Sequence, residues 1–448
     1  MHRAVVRFRF LLATACLLIP AVCQAQSPTL TLDDAVRIAL SDNPELKAAT
    51  LEVHKANENT AAARSGLLPT LHIQATGGAL LGNVDARIGS GKLGTVDGAP
   101  FPVADSTIYS ASGAAGYFSV QLKQPISQLP VIRQNIQMQQ SGVRLADEQL
   151  RAKRLSVTAA VKRTYYAILE AKDGIDASND RLKYDEELER TVADFVAHET
   201  ALQADLLDAR EQTAAEQLRT TELQDSLADE HEQMNVLLGR DVDTAFDVSE
   251  PADDPATHDD IASLRQRALN RRPDLRAVAA QVEQAKLGAR IKSQVGGPAV
   301  NVVLDYNQAG AGGLRGFPTN LSILGLELDW TPLDWGRGEH EARAQADDFA
   351  AARSALADAK SKAIVDVDRA VRAVDEAGAR LVVAKTAKGA ADERLREMTN
   401  RYRASAVLLK DLLQAQSAVA DSTEKVGEAT LALRIANVDL EAALGGDE

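Results

Sequence analysis

Apolar and polar positions along this chain follow two periods, and the switch between them occurs twice. From Thr31 the apolar residues recur at a spacing near 3.6, which predicts helix. Thr31 stands as an N-cap with Asp34 three residues on, in the acid position of a capping box, and a short helix runs to about Asn43. Pro44 begins a second helix, where its missing N–H costs nothing, and Pro69 stops the pattern beyond Gly66. The period then becomes two. Leu71, Ile73 and Ala75 alternate with His72, Gln74 and Thr76, and Phe118, Val120 and Leu122 alternate with Ser119, Gln121 and Lys123. These predict two strands, each with one apolar and one polar face. Between them Gly77–Gly116, rich in Gly, Ala and Ser, reads as a long loop. No proline occurs from Val131 to Glu250, which predicts a very long helix over 131–198, a turn, and a helix over 201–238.

The plan repeats. Leu40, Pro44, Leu46, Ala48, Ala56 and Pro69 return 229 residues later as Leu269, Pro273, Leu275, Ala277, Ala285 and Pro298. Farther on the offset is 206: Asp205-Leu206-Leu207-Asp208-Ala209 answers Asp411-Leu412-Leu413-Gln414-Ala415. One structural unit is therefore built twice. The first copy carries 23 extra residues between Pro69 and Asp205, which the reading places in the Gly77–Gly116 loop. In the second copy helix is expected over 259–295, strands over 299–307 and 320–331, and a helical hairpin over 337–444. The chain divides into residues 1–25, a first repeat over 26–250 and a second over 251–448, joined by an acidic linker with Pro251 and Pro255. A helix of 68 residues spans roughly 100 Å, and only two shorter helices stacked end to end match it. Each unit is thus expected to be a rod two helices thick with strands at one end.

Composition narrows the class. Arg3, Arg7 and Arg9 precede an apolar run from Phe10 to Val22 and then Gln24-Ala25-Gln26, the plan of a secretory signal peptide cut after Ala25. Cys23 offers an alternative as a lipidated residue, although Pro20-Ala21-Val22 matches such processing poorly. Cys16 and Cys23 are the only cysteines, so the mature chain has no disulfide or thiolate metal site. Losing residues 1–25 removes three arginines and no acid, moving the net charge from −14 to −17. That charge argues against nucleic acid as a partner. No later apolar run is long enough for a transmembrane helix, but an exported chain can still enter a membrane as a β-barrel. Gly89–Gly94 matches G-x-G-x-x-G, yet Gly98, Pro100 and Pro102 follow where a nucleotide site needs a helix. No H-E-x-x-H or nucleophile elbow occurs, and His231-Glu232 and His340-Glu341 read as helix-surface pairs. No cofactor, metal or enzymatic reaction is expected.

Four strands cannot close a barrel, and an open edge in lipid leaves backbone groups unpaired. Three copies would give 12 strands, an even number within the known range. Val300, Val302, Leu304 and Tyr306 would face lipid, and so would Leu324, Leu326, Leu328 and Trp330. Asp305, Glu327 and Asp329 would face the lumen, with Tyr117, Phe118, Tyr306, Phe317 and Trp330 as an aromatic girdle. The other reading of the alternation is an ordinary sheet with one solvated face, on a soluble periplasmic coiled-coil scaffold.

Several stretches carry a family resemblance: Leu30-Thr31-Leu32-Asp33-Asp34-Ala35, Asn43-Pro44-Glu45-Leu46, Arg64-Ser65-Gly66-Leu67-Leu68-Pro69-Thr70-Leu71, Leu328-Asp329-Trp330-Thr331-Pro332-Leu333-Asp334-Trp335-Gly336-Arg337-Gly338, and Arg401-Tyr402-Arg403-Ala404 through Asp411-Leu412-Leu413. With Ala442-Ala443-Leu444-Gly445-Gly446 at the end, they resemble the TolC-like outer-membrane efflux and secretion channels over nearly everything after the signal. The resemblance implies an α+β homotrimer whose outer-membrane barrel continues into a helical tunnel across the periplasm. It implies partners too, a periplasmic adaptor and an inner-membrane pump of the resistance-nodulation-division or ABC type. The cargo would be small molecules or, in a type I secretion system, polypeptide. It places the gate at turns near 196–205 and 402–411. There Asp411 matches the first position of an acidic ring, with Gln414 at the second, Asp205 matches an acidic partner and Tyr402 a tyrosine that holds the closed state. Val407 stands where some members carry an arginine.

Overall fold

The computed structural model describes residues 29–251, 260–294, 296–315, 320–404 and 406–446. Residues 1–25, read above as a signal peptide and including Cys23, lie outside the described residues, as do Pro255 of the linker and Phe317. The first part of the chain runs β1 (Thr29–Leu30), α1 (Leu32–Asp42), α2 (Pro44–Ser65), β2 (Thr70–Ile88), β3 (Thr95–Val96), β4 (Ala99–Pro100), β5 (Ser106–Pro125), α3 (Leu129–Ala197), α4 (Gln203–Leu237) and β6 (Asp247–Val248). The second runs α5 (Ile261–Arg271), α6 (Pro273–Gln294), β7 (Ala299–Arg315), β8 (Asn320–Asp329), α7 (Arg337–Arg403) and α8 (Leu409–Ala443). α1 and α5 both have 11 residues, α2 and α6 both 22, and α4 and α8 both 35. The surplus of the first copy therefore lies outside these helices, in the stretch between α2 and α3.

Local chemistry sets the helix starts. Thr31 Oγ1 accepts from the Asp34 N–H at 3.1 Å and donates to its carboxylate at 2.8 Å. Asn43 Oδ1 accepts from the N–H groups of Glu45 and Leu46, directly before Pro44. Asp334 accepts from the Gly336 and Gly338 N–H groups, so the Pro332-Leu333-Asp334 turn caps α7. Buried residues follow a four-three spacing: Val157, Val161, Thr164, Ile168 and Ala171 on α3, and Ala363, Val367, Ala370, Val374 and Ala377 on α7. That is a coiled-coil seam, and alanine on α7 lets its partner approach closely.

The rod has the expected stacked plan. α3 packs against α1 and α2 toward one end and α4 toward the other. At the junction Asn43 Nδ2 donates to the Leu237 carbonyl at 2.9 Å, joining the end of α4 to the start of α2. Gly239 sits beside this contact at φ +66°, where a Cβ would collide with the Asp42 carbonyl. Gly445 repeats the arrangement at φ +94° against the backbone of Arg271 and Arg272. The largest core fills this junction, with Tyr165, Ile168, Met234 and Leu238 fully buried. The Tyr165 hydroxyl lies 2.9 Å from the Leu30 carbonyl and 2.6 Å from that of Ser249, and accepts from the Ser249 N–H. It thereby clamps the short parallel pair β1–β6, which the residue pattern did not reveal.

The four long strands form one antiparallel sheet in the order β2-β5-β7-β8. One expectation fails here. Gly77–Gly116 is mostly strand, with β2 continuing to Ile88 and β5 beginning at Ser106. Gly, Ala and Ser show no apolar alternation, yet backbone pairing needs none. The pairing shifts register between Leu80 and Val84 and between Ala86 and Arg87. Only residues 89–105 form the tip, and the G-x-G-x-x-G match lies on it. β7 likewise runs to Arg315 rather than 307. The extra length of the first copy is thus shared between longer strands and the tip.

Candidate functional site

Two places hold the candidate residues, the far turns of the helical hairpins and the faces of the sheet. At the α3–α4 turn, the Asp205 carboxylate accepts from the Leu202 N–H at 3.0 Å. At the α7–α8 turn, Asp411 accepts from the Leu408 N–H at 3.1 Å. Both acids therefore cap the first turn of a helix, where the helix dipole favours negative charge. Alanine at either position removes this acceptor and is expected to cost about 0.3–1 kcal/mol of local helix stability, with asparagine keeping an acceptor for the same N–H. Amide exchange over residues 202–208 and 408–414 reads this directly, and unchanged protection in both alanine variants would refute the capping role.

The structure brings Asp205 and Tyr402 into electrostatic reach. The Tyr402 phenol is pushed up chiefly by burial, and next by the Asp205 carboxylate. Leu413 packs on the tip core of Leu188, Val192, Leu206 and Ala209, which ties α8 to the first hairpin. Gln414 is exposed and Val407 half-buried.

The register sorts the sheet residues. One face carries Leu71 and Ile73, Val120 and Leu122, Val302 and Leu304, Leu324, Leu326 and Leu328. The opposite face carries Gln121 and Lys123, Asn301 and Asp305, Glu327 and Asp329. The apolar face is the more exposed one: Leu324 is 74% and Leu326 73% accessible, whereas Asn301 and Val303 on the polar face are buried. Among the girdle residues, Phe118 and Tyr306 share the apolar face and meet edge-on at 6.5 Å. Trp330 follows the apolar row of β8, with its indole N–H on the Gly296 carbonyl at 3.3 Å. Tyr117 does not join them. Its hydroxyl donates to Asn307 at 2.6 Å on the polar face, because neighbours along a strand point to opposite sides.

Sequence reasoning missed Lys123 as a site residue. It forms an ion pair with Glu327, and Asn301 Nδ2 approaches the same carboxylate at 3.3 Å. Its strand parity with Ser119 and Gln121 was the available signal. Below the sheet, Glu341 of the His340-Glu341 pair is partly exposed on α7, as expected. Hydrogen bonds from Arg337 and then Lys292, each at 2.9 Å, lower its carboxyl to about 2 and tie α6 to α7. Among the described residues, no helix is long and apolar enough to cross a membrane, and no group of His, Cys, Asp and Glu is placed to hold a metal.

A family model described as outer membrane efflux protein matches residues 35–240 and 264–446. No curated protein matches the sequence. Among solved structures, the Campylobacter jejuni CmeC outer membrane channel is 17% identical with a TM-score of 0.77, covering 93% of this chain and 85% of that one. The outer membrane protein VceC of Vibrio cholerae is 16% identical, TM-score 0.74, with 93% and 96% covered. The open state of the Neisseria gonorrhoeae MtrE outer membrane channel is 19% identical, TM-score 0.71, with 93% and 89% covered. At these identities the structures establish the fold.

Proposed function

The chain belongs to the outer membrane efflux protein family, and from that premise we propose that three copies form a passive duct exporting small molecules. The family is one of channels, so the protein conducts rather than catalyses, and its place is the outer membrane. The observation that carries the trimer is the sheet itself. Its two edges, β2 and β8, are open, its apolar face is the exposed one, and its carboxylates share the opposite face. In lipid such edges must be paired, and pairing β8 of one copy with β2 of the next closes a barrel of 12 strands. The duplication then has a purpose: two repeats, 26–250 and 251–448, in three chains supply six similar staves around one pore.

Asp305 and Asp329 line the barrel lumen beside the Lys123–Glu327 pair, and the α3–α4 and α7–α8 turns form the periplasmic gate. Asp411 with Gln414 makes the inner constriction there, while Asp205 and Tyr402 hold the two hairpins together. The exposed Leu202, Leu207 and Leu408 at the tips offer an adaptor its contact, and an inner-membrane pump supplies the energy. Reconstitution in planar bilayers tests the duct. The excess of lumenal acid should make it prefer potassium over chloride through electrostatic focusing. A preference for chloride would remove the acidic-lumen argument, and purification as a soluble protein without detergent would overturn the channel reading.

A further inference from the structure

The seam between α3 and α4 contains one layer that apolar packing does not explain. Ser178 and Asp185 occupy buried positions one heptad apart on α3, and Glu216 and Thr220 face them from α4. Asp185 and Glu216 are 2% and 5% exposed. A single guanidinium serves both: Arg181 Nε lies 3.2 Å from Glu216 and 3.7 Å from Asp185. Glu216 is further held by the Ser178 hydroxyl, itself 2.8 Å from Thr220 Oγ1. Asp185 is held less well. Gln212 Nε2 approaches Oδ1 only at 3.4 Å, and Oδ2 is buried with no hydrogen bond. Two carboxylates against one cation leave an excess negative charge in a buried seam, and one proton removes it.

Among the described residues, neighbouring charges are committed elsewhere. One turn farther along α3, Glu189 is engaged by Arg210 of α4, and Arg219 of α4 is engaged by Glu424 of α8. α8 presents the neutral Gln416 to Tyr184, and the end of α7 brings Tyr402 and Arg403 within electrostatic reach of Tyr184. The charges acting on Asp185 are Arg181 and Glu216.

We propose that the Arg181–Asp185–Glu216 layer is a proton-operated lock, tightening the α3–α4 hairpin in acid and loosening it toward neutral pH. Burial pushes the Asp185 carboxyl up to about 6; Arg181 pulls against this, and the Glu216 charge adds to the rise. The folded value lies above the ordinary aspartate value of 3.8, so the closed hairpin binds more protons than the opened one between these two values. Hairpin stability is therefore gained as pH falls through about 6 and lost as it rises. The layer lies about 18 Å from the end of α3, near enough for its state to reach the tip core. A polar layer also fixes coiled-coil register, but that role is independent of pH.

Hydrogen exchange on the full-length protein in detergent, corrected for the intrinsic pH dependence of exchange, tests the lock. Protection of amides in 180–197 and 203–216 should rise about tenfold from pH 7.5 to pH 5 in the wild type. Asp185→Asn should abolish the rise and hold the segment protected at both pH values, and Glu216→Gln should shrink it. Flat protection in the wild type, or an undiminished rise in Asp185→Asn, would overturn the proposal. The readout needs no conduction, so it stands or falls separately from the export function.

Discussion

Leu326→Arg is expected to abolish assembly in the outer membrane, whereas Asp305→Arg is expected to leave assembly intact and alter ion preference. Leu326 stands between Leu324 and Leu328 on the apolar face, and its register partner is Val302. From Ser322 to Trp330 the β8 row covers about 27 Å along the strand, which places Leu326 near the middle of the apolar band. An arginine facing the bilayer midplane costs about 2–4 kcal/mol per chain. Three copies per barrel bring that to roughly the whole stability of an ordinary domain. Asp305 is on the opposite face, where a cation meets water and reverses one lumenal charge. The pair of variants discriminates sharply. On a soluble scaffold, Leu326 is already 73% exposed, and arginine there would change stability by less than about 0.5 kcal/mol. The measurement is recovery of heat-modifiable trimer from the outer-membrane fraction. Normal trimer from Leu326→Arg would refute the lipid-facing assignment.

The second large effect belongs to Tyr165. It is fully buried at the junction where α1, α3, α4 and the β1–β6 pair meet. Tyr165→Ala is expected to cost about 3–5 kcal/mol, the range for emptying a buried aromatic site. Tyr165→Phe keeps the ring and removes the hydroxyl, leaving the Leu30 and Ser249 groups without their shared partner. That is expected to cost about 1–3 kcal/mol. Thermal unfolding ranks the variants, and limited proteolysis around residues 29–31 and 247–251 locates the loosened segment. Equal melting of Tyr165→Ala and wild type would rule out the clamp.

Much of the fold was legible because its signals are local. The period change after Pro69 and Pro298 marked the passage from helix to strand, and Asn43-Pro44 marked a helix start. The repeat offsets placed the insertion between Pro69 and Asp205, and the equal helix lengths narrowed it to the stretch between α2 and α3. Helix lengths implied the stacked rod, which the Asn43–Leu237 contact realises. Other features were not legible. Gly77–Gly116 contains mostly residues with no side-chain contrast, so its strands are visible only through backbone partners. Tyr117 and Phe118 fall together in composition, yet adjacent strand residues face apart. The family resemblance marks Asp205 and Asp411 as gate acids, whereas their helix-capping role appears only with the turn geometry.

The sequence by itself determined the repeated pattern, the two hydrophobic periods and the alternation that separates an apolar sheet face from a polar one. Each depends on residues within a few positions of one another, or on a constant offset. Only the tertiary structure decided which distant groups meet. Lys123 reaches Glu327 across two strand pairings, Tyr165 finds carbonyls at both ends of the first repeat, and Asp185 shares a guanidinium with Glu216. Such contacts depend on strand register and helix phase over long separations. A shift of one residue in either would leave the hydrophobic pattern recognisable and every one of these pairs apart.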